Sequence, residues 1–159
     1  MSENSILIIE DSDAKLASIT AALGRILPGC DIDFAKSVKS AIVKIKNNSY
    51  RLIIADMSLP TFDVKNRERG GTARPFGGIE IFDYLKRLRK ITPVIVVSSY
   101  PAIVDGNTTL TLHDLAARLR SSYVENFSGY VFFDSAYLTW ETELKSFVLE
   151  IPHDHPSAD

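Results

Sequence analysis

Three carboxylates and a hydroxyl stand where short apolar runs of the chain end. Glu10 and Asp11 follow Ile6-Leu7-Ile8-Ile9, Asp56 follows Leu52-Ile53-Ile54-Ala55, and Ser98 follows Pro93-Val94-Ile95-Val96-Val97. Neighbouring parallel strands lie about 4.8 Å apart, so acids at adjacent strand ends can converge. Carboxylates packed together repel, and the repulsion is relieved by protonation or by a cation. Oxygen donors of this kind suit Mg²⁺, which binds one or two carboxylates, keeps several waters and meets phosphate oxygens. Mg²⁺ is therefore the expected cofactor, with Glu10, Asp11 and Asp56 as its acids. The ion would neutralise charge on an incoming phosphoryl group while Asp56 attacks in line and Ser98 donates a hydrogen bond to a phosphoryl oxygen. The plainer alternative makes these acids solvated loop residues and helix caps. Asp13 is given that plainer role, as an acid supporting the start of the first helix.

The elements that must position these groups follow from hydrophobic periodicity. Apolar runs at 6–9, 52–55 and 93–97 predict buried strands, 31–35 alternates like a short strand, and 129–133 supplies a fifth. Between them Leu16, Ile19, Leu23 and Ile26, then Val38, Ala41, Ile42 and Ile45, then Ile81, Phe82, Leu85 and Leu88 recur at helical spacing. Leu112, Leu115, Ala116 and Leu119 mark a fourth helix, with Thr111 and Asp114 as a capping-box-like start, and Leu138, Leu144, Phe147 and Val148 mark a fifth. Strands alternating with helices predict an α/β fold, a parallel sheet covered on both faces. Ligands of such sheets sit at the carboxyl ends of the strands, where the acids and Ser98 fall.

Composition narrows the class. The 159 residues suit one domain, expected over 1–152 with a frayed polar tail at 153–159, and 45% hydrophobic residues suffice for a core. The formal charge of −2 gives no electrostatic basis for nucleic-acid binding. One cysteine, Cys30, excludes an internal disulfide framework and a cysteine-cluster metal site. The polar start Met1-Ser2-Glu3-Asn4-Ser5 and apolar runs of four or five residues predict no signal peptide and no membrane span, hence a cytoplasmic protein.

The segments Ile6-Leu-Ile-Ile-Glu-Asp-Ser-Asp13, Leu52-Ile-Ile-Ala-Asp-Met-Ser-Leu-Pro60, Thr92-Pro-Val-Ile-Val-Val-Ser98 and Ser128-Gly-Tyr-Val131 resemble the strand-end motifs of response-regulator receiver domains, over residues 5 to 150. The resemblance implies a doubly wound five-stranded parallel sheet of order 2-1-3-4-5, a flavodoxin-like three-layer sandwich. It implies a non-enzymatic module of two-component phosphorelay signalling, with Asp56 as phospho-acceptor. Asp11 would bind Mg²⁺ directly, Glu10 through water, and Ser58 through its backbone carbonyl; Ser98 would be the switch hydroxyl and Tyr130 the switch aromatic. A histidine kinase or phosphotransfer protein would supply the phosphoryl group. The face made by helix four, strand five and helix five would meet a downstream protein or a second copy of the chain.

The sequence also departs from that family. Its lysine at the end of strand five, and the proline after it, align with Phe133 and Asp134, and no lysine occurs in 121–137. A phosphorylation-independent interaction module is therefore the alternative, and a haloacid-dehalogenase-type phosphatase, suggested by Asp11-Ser12-Asp13, a more distant one. Two segments interrupt the rhythm and read as polar loops, 61–78 and 100–108. The first carries Lys65, Arg67, Arg69 and Arg74 against Asp63 and Glu68, and Arg69 or Arg74 is a candidate for the missing cation. Gly70-Gly71 and Gly77-Gly78 bracket it and read as flexible points. His153 and His155 read as tail residues, His113 as solvent-facing, Cys30 as a packing residue, and Trp140 and Phe147 as core.

Overall fold

A computed structural model describes residues 4–63 and 75–152. Five strands, β1 (Ser5–Ile9), β2 (Asp31–Ala35), β3 (Leu52–Ala55), β4 (Val94–Ser98) and β7 (Phe127–Phe132), form one sheet in the order β2-β1-β3-β4-β7. All four pairings are parallel. This is the 2-1-3-4-5 winding expected for the five sheet strands. Every residue of β1, β3 and β4 is buried, which is why these strands carry no polar alternation.

Five helices cover the two faces. On one side α1 (Asp13–Ile26) and α5 (Thr139–Glu150) enclose Ile6, Ile8, Ile54, Ile95, Val97 and Trp140. On the other, α2 (Val38–Asn47), α3 (Gly77–Arg87) and α4 (Leu112–Ser122) enclose Leu7, Ile9, Ile53, Phe82, Val96 and Leu115. Ser12 caps α1 by accepting from the Lys15 amide at 3.3 Å, and Thr111 caps α4 by accepting from the Asp114 amide at 3.0 Å. Ser37 and Ser40 exchange side-chain and backbone hydrogen bonds in a full capping box at the start of α2.

The segment 100–108 is not a plain loop. Its residues enter an antiparallel hairpin of β5 (Ala102–Asp105) and β6 (Thr108–Thr111), a second, two-stranded sheet. Gly106-Asn107 makes the two-residue turn, with Gly106 at φ +61°, a backbone that favours glycine. Ile103 pins the hairpin into the α2–α3–α4 core.

Gly77 and Gly78 are not hinges either. They are buried at the start of α3, whose first turn sits on the chain that leaves β3. A Cβ on Gly77 would lie 2.5 Å from the Leu59 carbonyl oxygen, and one on Gly78 would lie 2.5 Å from the Asp56 carbonyl oxygen. These glycines let a helix end approach the backbone of the chain that follows β3, which is a packing role rather than a flexible one. The remainder of the expected loop that holds Lys65, Arg67, Arg69 and Arg74, and the tail with His153 and His155, lie outside the described residues.

Candidate functional site

Parallel register brings the acids together. Ile9 pairs with Ala55, so the next residues of β1 and β3 leave the sheet side by side. The Glu10 amide donates to the Ala35 carbonyl at 2.9 Å and the Asp56 amide to the Ile9 carbonyl at 3.1 Å, extending the ladders one residue past each strand. One carboxylate oxygen each from Glu10, Asp11 and Asp56 lies within 4.8 Å of the other two. Glu10 is 2% and Asp56 6% exposed, whereas Asp11 faces solvent. The three acids line a cleft of about 370 Å³ with Ser58, Tyr100 and Phe133.

The cation of this site comes from α1, a source that strand-end reasoning missed. Lys15 is 5% exposed. Its Nζ lies 2.7 Å from Glu10 Oε2 and 3.1 Å from Asp56 Oδ2, and it donates to the Val97 carbonyl at 2.8 Å. The Lys15 ammonium is thus the partner of the buried Glu10 Oε2. The other Glu10 oxygen accepts from the Ser12 amide at 3.1 Å, which ties the acid to the cap of α1. Asp56 Oδ1 receives only a long contact from the Ser58 amide, 3.4 Å. Lys15 was legible after all. With Ile19, Ala22 and Leu23 it forms the buried stripe of α1, at spacings of four, seven and eight, so a lysine stood on the core face of the helix.

Burial pushes the carboxyls of both Glu10 and Asp56 above their ordinary range, and the Lys15 ammonium pulls both back toward ionisation. For Glu10 the charge on Asp56 adds to the upward push. Three carboxylates beside one ammonium leave two uncompensated negative charges, which one divalent cation would balance. An oxygen-only set of three carboxylates, with only a long 3.4 Å contact on Asp56 Oδ1, fits a hard ion such as Mg²⁺.

Ser98 lies at the end of β4, fully buried. Its hydroxyl donates to the Tyr100 carbonyl at 3.3 Å and accepts from the Tyr100 amide at 3.2 Å, while Ser99 and Tyr100 line the cleft. Tyr130, on β7 opposite Val96, packs half-buried on the α2–α3–α4 core. Phe133 follows β7, its amide donating to the Ser98 carbonyl at 2.7 Å. Its ring stands 4.8 Å from Trp140 and 5.9 Å from Lys15 Nζ, so an apolar wall occupies the place where the resemblance expects an ammonium. Asp134 accepts from the Ala136 amide at 2.9 Å, in the turn that leads to α5. Asp13 begins α1 and pairs with Lys36, in keeping with its helix-start role. His113 is exposed, Trp140 is buried, and Cys30 is a free, half-buried thiol.

Comparison with known proteins agrees with this geometry. A family model described as "Response regulator receiver domain" matches residues 6–113. The chain is 28% identical over 141 residues to the uncharacterized protein y4jR of Sinorhizobium fredii, covering 88% of this chain and 93% of the relative. It is 24% identical over 151 residues to the Detocs response regulatory protein DtcB of Enterobacter cloacae, covering 92% and 99%. In structure it resembles the response regulator protein TrrA of Thermotoga maritima, crystallised in complex with Mg²⁺ and BeF, with a TM-score of 0.56 at 17% identity over 90% of this chain and 97% of that one. A match through the acid-bearing strands, on a sheet wound in the same order, places the chain in the response regulator receiver domain family.

Proposed function

We propose that this receiver domain takes a phosphoryl group onto Asp56 with Mg²⁺ held by Asp11, Asp56, the Ser58 carbonyl and, through water, Glu10. The observation that carries the reading is the buried Asp56 carboxylate, 3.1 Å from an ammonium and within 4.8 Å of two further acids. A carboxylate so held is oriented, stripped of most of its water and surrounded by charge that a cation and a phosphoryl group would complete. A bound Mg²⁺ would neutralise phosphoryl oxygens. The chain's own part is nucleophilic: an Asp56 oxygen forms the new O–P bond as the P–N bond of a phosphohistidine breaks. The leaving imidazole nitrogen keeps the electron pair and is protonated from solvent.

Ser98 and Tyr130 would report the event. The Ser98 hydroxyl must exchange its bonds with Tyr100 for a phosphoryl oxygen, and Tyr130 would follow it from the neighbouring strand. The donor would be a histidine kinase or a phosphotransfer protein, and output would pass by protein contact through the α4–β7–α5 face. No helix among the described residues is long and apolar enough to cross a membrane, which suits a cytoplasmic relay.

The test is incubation with acetyl phosphate and Mg²⁺ followed by intact mass measurement. One phosphoryl adduct is expected, absent without Mg²⁺ and absent in Asp56→Ala. An unmodified parent chain would point instead to a phosphorylation-independent interaction module, and multiple-turnover release of phosphate from organic phosphates, dependent on Asp11, to a phosphatase.

A further inference from the structure

Burying an ammonium is costly unless its charge and its N–H groups are met by partners. Lys15 meets three oxygens within 3.1 Å, two of them carboxylate and one the Val97 carbonyl. It is the third residue of α1, and a cation in the first turn of a helix opposes the helix dipole. Neither the helix nor the apolar core thus gains from a lysine here. What gains is the acid cluster, and within it Asp56.

Among the described residues lining the cleft, Lys15 carries the only positive charge, and the facing wall is the ring of Phe133. Phosphorylation converts the single charge of a carboxylate into the nearly double charge of an acyl phosphate, so the site must accommodate further negative charge. An ammonium 3.1 Å from Asp56 Oδ2 stands beside the carboxylate that would carry that charge.

We propose that Lys15 is the phosphoryl-binding cation of this domain, carried by helix α1 instead of the last strand of the sheet, and that it also sets the affinity for the divalent ion. The inference rests on Asp56 being the acceptor. It makes two demands of opposite sign. Removing the ammonium withdraws a stabilising charge from the transferring phosphoryl group, which slows transfer. The same removal leaves three carboxylates without a counter-charge, which tightens divalent-ion binding. A lysine with a purely structural role would weaken both.

The experiment compares the parent, Lys15→Met, and Lys15→Met combined with Phe133→Lys. Adduct formation with acetyl phosphate at saturating Mg²⁺ is followed by intact mass, and Mg²⁺ alone is titrated by calorimetry. Lys15→Met is expected to slow adduct formation about a hundredfold, the cost of losing one preorganised charge donor. Its Mg²⁺ affinity is expected to rise about tenfold, as a unit charge leaves a partly buried site. Because Lys15 Nζ lies 5.9 Å from the Phe133 ring, a lysine at 133 reaches the same cleft and should recover most of the rate and the parental Mg²⁺ affinity. Parental rates in Lys15→Met overturn the inference while leaving Asp56 as acceptor. Loss of both phosphorylation and Mg²⁺ binding, not recovered in the double variant, also overturns it. A parent that takes no phosphoryl group refutes the proposed function itself, and the inference falls with it.

Discussion

Replacing Gly78 with alanine tests whether α3 is seated on the chain that leaves β3. Away from any contact, glycine to alanine inside a helix stabilises by about 1 kcal/mol, through propensity and a less flexible unfolded chain. Gly24, on the exposed side of α1, is such a position, because a Cβ there would meet nothing within 4 Å. At Gly78 the same atom would stand 2.5 Å from the Asp56 carbonyl oxygen and 2.8 Å from Met57 Cα. It would also lie 2.6 Å from Met57 Cε, which can swing aside, but the two backbone atoms cannot. Relief requires α3 to lift or the Asp56–Met57 backbone to shift, and overpacking of this kind costs about 1–3 kcal/mol. The lift would also stretch the 2.8 Å hydrogen bond from the Gly78 amide to the Met57 carbonyl. Set against the propensity gain, a net loss of up to about 2 kcal/mol is expected for Gly78→Ala and a gain of up to about 1 kcal/mol for Gly24→Ala. Equilibrium urea unfolding with unchanged m-values reads both. A Gly78→Ala protein as stable as Gly24→Ala would refute the seating of α3 on residues 56–59.

Two further substitutions probe the frame around the site. Asn126 is buried and its side-chain amide donates to the Lys90 carbonyl at 2.8 Å and the Thr92 carbonyl at 2.9 Å, so Asn126→Ala should cost about 1–3 kcal/mol in urea unfolding, and a loss within error of zero would discount these bonds. Burial pushes the Asp33 carboxyl upward, but hydrogen bonds from Lys44, Tyr50 and the Phe34 amide outweigh it and hold the group below its usual range. A depressed carboxylate contributes stability above its unfolded value of about 3.9 and loses it as pH falls through the folded one. Tyr50→Phe, which removes the 2.7 Å bond to Asp33 Oδ2, should therefore destabilise by about 1.5 kcal/mol near neutral pH and by less in acid; a deficit independent of pH would count against that linkage.

The strands were legible because burial on both faces writes itself as unbroken apolar runs, and the acids because they interrupt those runs at the sheet's ligand-bearing edge. The hairpin was not, although Gly106-Asn107 between Asp105 and Thr108 is a two-residue turn signal. Its strands are four residues long, and β6 is largely exposed, so neither carries a buried run to announce it. Gly77 and Gly78 misled for a different reason. Paired glycines signal freedom in isolation, and only the backbone of residues 56–59 passing alongside turns that freedom into a requirement for close approach. Lys15 was hidden by expectation. The search for a cation ran through the residues near Phe133 and the loop arginines, whereas the chain places it five residues after Glu10, on a helix that begins where the acids end.

The position of that charge decides which element Asp56 is tied to. A cation on β7 would tie Asp56 across β4 to the far edge of the sheet. Here the end of β7 supplies Phe133, packed at a tilt against Trp140 of α5, and the tie from Asp56 runs to the first turn of α1 instead. Glu10 Oε1 is bound to the same turn through the Ser12 amide, so the acid, the cation and the helix cap move as a unit. At its other end α1 reaches α5 through the ion pair of Arg25 with Glu141. Asp56 is thus in contact with α1, and α1 meets α5 at that ion pair, while Phe133 packs on Trp140 of α5. A lysine on the last strand would have served one element. The same lysine on α1 ties Asp56 to the helix that packs beside α5, at the expense of opposing one helix dipole, about 0.3–1 kcal/mol.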